Sequence, residues 1–142
     1  MTKVSEERVF EWHTVVDFAD TDAGGVVYYA RYLDWAERAR ASWLRGCNSS
    51  NRQLWEQGIV FVVTRVEIDY KQSARLEDSI VLETTVNKIK GVRLIMNQNI
   101  YRRSDRALLC SCIVTLACLD RHKHKPTKIP SFIAHKSMKL SN

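Results

Sequence analysis

The residues best suited to chemistry lie in the stretch Asp20-Thr21-Asp22-Ala23-Gly24-Gly25-Val26-Val27-Tyr28-Tyr29. Asp22 stands a few residues ahead of the strongest helical pattern in the chain. Gly24 and Gly25 tolerate backbone angles that other residues avoid, and they let a ligand approach the main chain. A helix start presents unpaired N–H groups and a partial positive charge. Carboxylate and backbone donors together suit acyl transfer to water, which needs a nucleophile or base and a place for the oxyanion. The helix start also favours an ionised Asp22 at neutral pH. Aspartates gather at turns and caps for structural reasons too, so spacing alone leaves both readings open.

Other reactive side chains are weaker candidates. Asp17 and Asp20 with Asp22 offer oxygens to a hard cation, but no further acidic cluster lies nearby, and Asp20 is expected to order the loop. His13 falls on a strand face and reads as a surface or structural residue. His122 and His124 form a His-x-His pair in a basic segment expected to be mobile. Cys110, Cys112 and Cys118 are evenly spaced on one apolar run, so they share a strand face. With Cys47 they read as buried free thiols of a reducing cytoplasm, since no second pair completes a metal set. No Gly-x-Ser-x-Gly elbow is present. A substrate with a good leaving group would not require one, since a thiolate of pKa ~8.5, for example, leaves without strong acid assistance.

Several elements must position these groups. Residues 8–18 alternate as a first strand, with Phe10, Trp12, Val16 and Phe18 on one face. Residues 28–45 form a long amphipathic helix whose stripe runs through Tyr29, Leu33, Ala36, Arg40 and Trp43-Leu44, with Gly46 as its stop. Glu37, Arg38 and Arg40 are expected as solvated pairs. Ser50-Asn51-Arg52-Gln53 has capping-box form and opens a short helix over 51–57, ended by Gly58. Period two then takes over. Val60, Val62, Thr64, Val66, Ile68 and Tyr70 are expected on one face of a strand. Further strands begin at Ile80 and Leu94, and the most apolar covers 107–119. That last strand is apolar on both faces, which implies a partner surface and at least a dimer. The order predicts an α+β fold with a long helix packed on an antiparallel sheet.

With 142 residues, 45% hydrophobic and 27% charged, the chain suits one domain with a single core. No apolar run reaches the ~20 residues of a membrane-spanning helix. The polar segment Met1 to Glu7 has no signal-peptide h-region, so export by that route is not expected. The net charge of +6 draws on a basic C-terminal end, Arg121 to Lys139, which fits a solvated tail or the rim of a site for an anionic ester. Nucleic-acid binding is not expected.

The stretch from Asp20 to Tyr28, with Tyr32-Leu33 and Glu37-Arg38-Ala39-Arg40, resembles the signature of the Tol-Pal-associated acyl-CoA thioesterases. These are a branch of the 4-hydroxybenzoyl-CoA thioesterase group of hotdog enzymes. The likeness continues through Gly58 to Val63, Ile68-Asp69-Tyr70, Ala74 to Asp78, Ala117 to Asp120, and Lys125-Pro126 to Pro130. It implies a hotdog fold, an antiparallel sheet wrapped around one central helix, over residues 1–132, with 133–142 left as a basic, mobile tail. It also implies hydrolysis of a short-chain aliphatic or aryl acyl-CoA to free acid and coenzyme A, without metal or other cofactor. Asp22 would be nucleophile or general base, and the backbone N–H of Tyr29 would polarise the thioester carbonyl. Many relatives carry His where Tyr29 stands, while aryl-CoA thioesterases carry Tyr. Gly25, Val26, Phe61, Val62 and Val63 would line the substrate site. The family likeness adds dimers with shared active sites that pair into tetramers. A non-catalytic acyl-CoA-binding or scaffold protein, associated with envelope, lipid-synthesis or acyl-carrier proteins, is the alternative. A hotdog dehydratase would need a His motif that His13 lacks.

Overall fold

The computed structural model describes residues 9–133. Strand β1 (Phe10–Val15) turns Phe10 and Trp12 inward. The strand then gives way to a 3₁₀ turn at Phe18–Asp20. That turn rotates Phe18 out of the expected apolar face and leaves it 81% exposed.

Helix α1 (Arg31–Gly46) buries Tyr32, Trp35, Ala36, Ala39, Trp43 and Leu44, spacings that make one stripe along a 3.6-residue period. Ala36 and Ala39 are fully buried, and their small side chains let the helix lie close to the sheet. The helix starts later than the pattern predicts. Residues 28–30 form a turn, so Tyr29 drops out of the buried stripe. Gly46 is the last helical residue rather than the stop. A Cβ there would lie 3.1 Å from the Phe10 ring, so its missing side chain serves packing. Asn48, beyond the helix, takes the left-handed backbone instead (φ 61°), which asparagine tolerates better than most residues. Helix α2 (Asn51–Glu56) is capped by Ser50, whose Oγ accepts from Gln53 N at 3.1 Å.

Strands β2 (Ile59–Tyr70), β3 (Ser79–Lys90), β4 (Arg93–Arg102) and β5 (Leu108–Asp120) join β1 in the antiparallel order β1-β3-β4-β5-β2, and β6 (Lys125–Pro126) pairs with β5. Leu82, Leu94, Met96, Ile100, Cys110, Cys112 and Val114 pack with α1 in the core. A side chain of that size stabilises by about 2 kcal/mol when fully buried.

A bulge corrects the expected facing of β2. The register shifts between Val63 and Arg65, so Phe61, Val63, Val66, Ile68 and Tyr70 oppose Cys118, Leu116, Val114, Cys112 and Cys110 on the core face. One extra residue in a strand reverses the facing of everything before it. Val60 and Val62 therefore lie on the outer face, opposite Leu119 and Ala117. Burial of β5 on both faces is not met within one chain, since Ile113 on the outer face is exposed.

All four cysteines are buried, as expected, and none forms a disulfide among the described residues. Burial pushes the Cys118 thiol up to about 11. His122 and His124 belong to an ordered turn rather than a mobile segment. Asp120 Oδ1 accepts from His122 N and Lys123 N, while the Arg121 guanidinium lies 4.5 Å from the Trp55 ring centre. Ile133 is fully buried in the core, so packing extends one residue past the predicted boundary. Residues 134–142 of the expected tail lie outside the described residues. Among the described residues no helix is long and apolar enough to cross a membrane.

Candidate active site

Asp22 begins a tight hairpin. Its N–H donates to Val26 O (2.9 Å), its carbonyl accepts from Gly25 N (3.0 Å), and Thr21 bridges Val27. Gly25 has φ 80°, the left-handed position that closes a three-residue hairpin loop. The Asp22 side chain folds back so that Oδ1 accepts from Gly24 N at 2.8 Å, an Asx-turn contact. The carboxylate is otherwise exposed. The Asp22 side chain thus makes the turn contact that its spacing had left open as one of two readings, and Oδ2 has no hydrogen-bond partner among the described residues.

The hairpin is held on two sides. Val27 N donates to Ala74 O (2.9 Å), and Val26 bridges Arg75. Ala74 N donates to the Tyr32 hydroxyl at 2.9 Å, tying the same residue to α1. Arg102 fixes this segment in turn, reaching Asp78, Asp105 and the Ser73 carbonyl at 3.2, 2.9 and 3.1 Å. On the other side Asp20 orders the loop as expected. Its carbonyl accepts from Tyr28 N, and its carboxylate meets Asp17 N at 2.9 Å and Arg31 Nε at 3.3 Å.

The entry to α1 sets the backbone donors. Tyr28 O accepts from Arg31 N at 2.9 Å, so that carbonyl points along the helix. In a trans peptide the N–H is antiparallel to the C=O, and no cis bond occurs. The Tyr29 N–H, in the same peptide, therefore points out of the helix start. Among the described residues it has no hydrogen-bond partner. The Tyr29 side chain is 62% exposed and packs edge-on to Tyr70 with ring centres 6.4 Å apart.

Asp22, Gly25, Val26 and Tyr29 thus gather at one end of α1. Phe61 and Val63 do not join them. They wall an open groove at the other end with Glu37, Arg40, Leu94 and Met96. Tyr70 contacts Tyr29, and nine residue steps of extended strand separate it from Phe61, roughly 30 Å. Val62 faces away from both.

The partners of three polar groups, Arg40, Gln98 and Tyr70, escaped the sequence reading. Arg40, expected in a solvated pair, donates instead to Gln98 Oε1 at 3.0 Å. Burial pulls its guanidinium below its ordinary pKa. Gln98, fully buried, donates onward to Ala36 O and Thr84 Oγ1 at 2.9 and 3.1 Å. The Tyr70 hydroxyl donates to Tyr29 O at 3.1 Å. A tyrosine ending an apolar strand face and a glutamine inside one were the available signals. Among the described residues no three His, Cys, Asp or Glu side chains cluster to hold a metal.

Residues 16–137 match the thioesterase-like superfamily. Over 122 residues the chain is 41% identical to the acyl-CoA thioesterase YbgC of Haemophilus influenzae, covering 85% of this chain and 88% of that protein. It superposes on a probable thioesterase from Bartonella henselae with a TM-score of 0.80 and 31% identity, covering 86% of this chain and 99% of that one. A 1,4-dihydroxy-2-naphthoyl-CoA thioesterase from Synechocystis gives a TM-score of 0.88 at 22% identity, covering 94% and 98%, a likeness of fold. The curled antiparallel sheet on one long helix is the hotdog fold, and the chain belongs to the thioesterase-like superfamily, within its YbgC acyl-CoA thioesterase group.

Proposed function

We propose that this protein hydrolyses acyl-CoA thioesters to a carboxylic acid and free coenzyme A, using Asp22 and the N–H groups at the start of α1. The observation that carries this reading is the Tyr29 N–H, directed out of the helix start without a partner among the described residues, beside a hairpin that presents a carboxylate. Donors fixed before the reaction stabilise a developing oxyanion without reorganising. The Asp22 carboxylate attacks the thioester carbonyl, expels the CoA thiolate and leaves an anhydride for water to cleave. In the other route it takes the proton of a water that attacks the same carbon. Both give acid and thiol, and the chemistry needs no metal or other cofactor. The Tyr29 side chain supplies no imidazole, so neither route draws on a titrating group there.

The separation of Phe61 and Val63 from Tyr29 supports a shared site between two copies. A short acyl group cannot bridge roughly 30 Å of strand. Strand β2 is a sheet edge with Val63, Val66 and Tyr70 exposed, and an unpaired edge is a template for another strand. Two β2 strands paired antiparallel bring the Phe61–Val63 end of one copy beside the Tyr70–Tyr29 end of the other. Gly25 and Val26 would then face the ester from one side, with Phe61 and Val63 on the acyl group from the other. The reading includes a dimer, its pairing into a tetramer, and work in the cytoplasm.

The test is thiol release from short-chain, long-chain and aryl CoA esters by the parental and Asp22→Ala proteins. The parental protein is expected to cleave at least one ester and Asp22→Ala none. Equal rates would remove Asp22 from the site. Binding without cleavage by the parental protein would favour an acyl-CoA-binding or scaffold role.

A further inference from the structure

We infer that Tyr70 is a positioning residue for this reaction, holding the Ala30 N–H as a second oxyanion donor beside that of Tyr29. The inference rests on the hydrolase reading above and adds a residue of β2 to it. Tyr29 O lies at the start of α1, where a regular helix would give it the N–H of Leu33. Leu33 N instead donates to Ala30 O at 3.1 Å. The Tyr29 carbonyl takes its hydrogen bond from the Tyr70 hydroxyl, at 3.1 Å, across 41 residues of sequence. The Ala30 N–H belongs to that same peptide and points opposite to its carbonyl. Tyr70 therefore sets the direction of the Ala30 N–H, as Arg31 N sets that of Tyr29. Among the described residues the Ala30 N–H also has no partner.

A carbonyl that accepts a hydrogen bond polarises its peptide, and the N–H on the same amide becomes a stronger donor. The hydroxyl is itself fixed. The Tyr70 ring meets Tyr29 and Tyr32 edge-on, with centres 6.4 and 5.7 Å away, and Tyr32 is anchored to Ala74. Partial burial raises the Tyr70 phenol above its ordinary pKa, so it stays a donor at neutral pH. A phenylalanine at position 70 would keep the rings and lose only the tether.

Tyr70→Phe in the full chain tests this by two readouts. The first is turnover of an ester that the parental protein cleaves. Removing one oxyanion donor outright costs about a hundredfold or more in kcat, so loosening one is expected to lower kcat about tenfold with KM within about twofold. The second is the Ala30 amide resonance in the ligand-free protein, which is expected to move when Tyr29 O loses its partner, while the circular dichroism is retained. An unmoved Ala30 resonance overturns the inference. So does parental kcat in Tyr70→Phe, or a loss of rate matched by an equal loss of folded protein. Failure of the hydrolase reading shows separately, as a parental protein that cleaves no ester.

Discussion

Replacing Gln98 with leucine removes three hydrogen bonds without a large change in volume. Gln98 Oε1 accepts from Arg40, and Nε2 donates to the Ala36 carbonyl and the Thr84 hydroxyl. Ala36 O stays within the helical ladder, so its loss is small. Thr84 is fully buried and would keep a hydroxyl with no partner at Gln98, at about 1 kcal/mol or more. The bond to the Arg40 guanidinium is charge-assisted and contributes about 1.5–3 kcal/mol. Leucine recovers about 1 kcal/mol through added apolar burial. The net expectation is a loss of about 1.5–3 kcal/mol for Gln98→Leu. Equilibrium urea unfolding followed by circular dichroism measures this, with an unchanged slope as the sign that only stability moved. The double variant with Arg40→Met should lose less than the sum of the singles, because one change already removes the shared bond. A loss below about 0.5 kcal/mol, or strict additivity, would refute the account of this buried network.

Other consequences can be checked in the same preparations. The four cysteines should resist a thiol reagent in the native protein at pH 8 and all react once unfolded, because each is buried and Cys118 is pushed up to about 11; rapid native labelling of Cys118 would contradict this. Backbone N–H groups of Lys123 and His122 hold the Asp120 carboxyl below its ordinary pKa. Its contribution is therefore present above the unfolded-state value and lost as pH falls through the lower folded value. Asp120→Asn should flatten that acid limb of the stability profile, and an unchanged limb would refute the assignment. If active sites are shared across β2, the parental protein sediments as a dimer or larger rather than at 16.5 kDa. Val63→Asp, which places a carboxylate on that exposed edge, should then lower mass and activity together. An active parental monomer would dismiss the shared site.

The sequence announced the elements better than their facing. The Ala36, Trp43 and Leu44 part of the helix stripe, the Ser50 cap and the succession of strands along the chain follow from periodicity and turn residues, which act locally. Tyr29 and Leu33 are instead exposed, and β2 lies beside β5 rather than continuing a meander into β3. The bulge between Val63 and Arg65 carries no such signature, because a valine–threonine–arginine run continues the alternation without a glycine to mark the extra residue. The expected facing of Val60 and Val62 failed for that reason. Phe18 was read by its apolar character, but the 3₁₀ turn that exposes it depends on the Asp17–Asp20 contact. Arg40 and Tyr70 became legible only when strands distant in sequence supplied partners, Gln98 from β4 and the Tyr29 carbonyl from the helix start. Asp22 was visible as a turn residue and, by resemblance, as a reactive one. Its spacing could not separate those roles, and the hairpin shows the turn contact with Gly24 N.

The most direct test is turnover by Asp22→Asn. The asparagine oxygen can still accept from Gly24 N, so the hairpin is kept while the negative charge is removed. With a CoA ester that the parental protein cleaves, kcat should fall about a hundredfold or more, while the melting temperature stays within a few degrees. Cleavage by a folded Asp22→Asn protein at the parental rate would show that the carboxylate takes no part in the reaction.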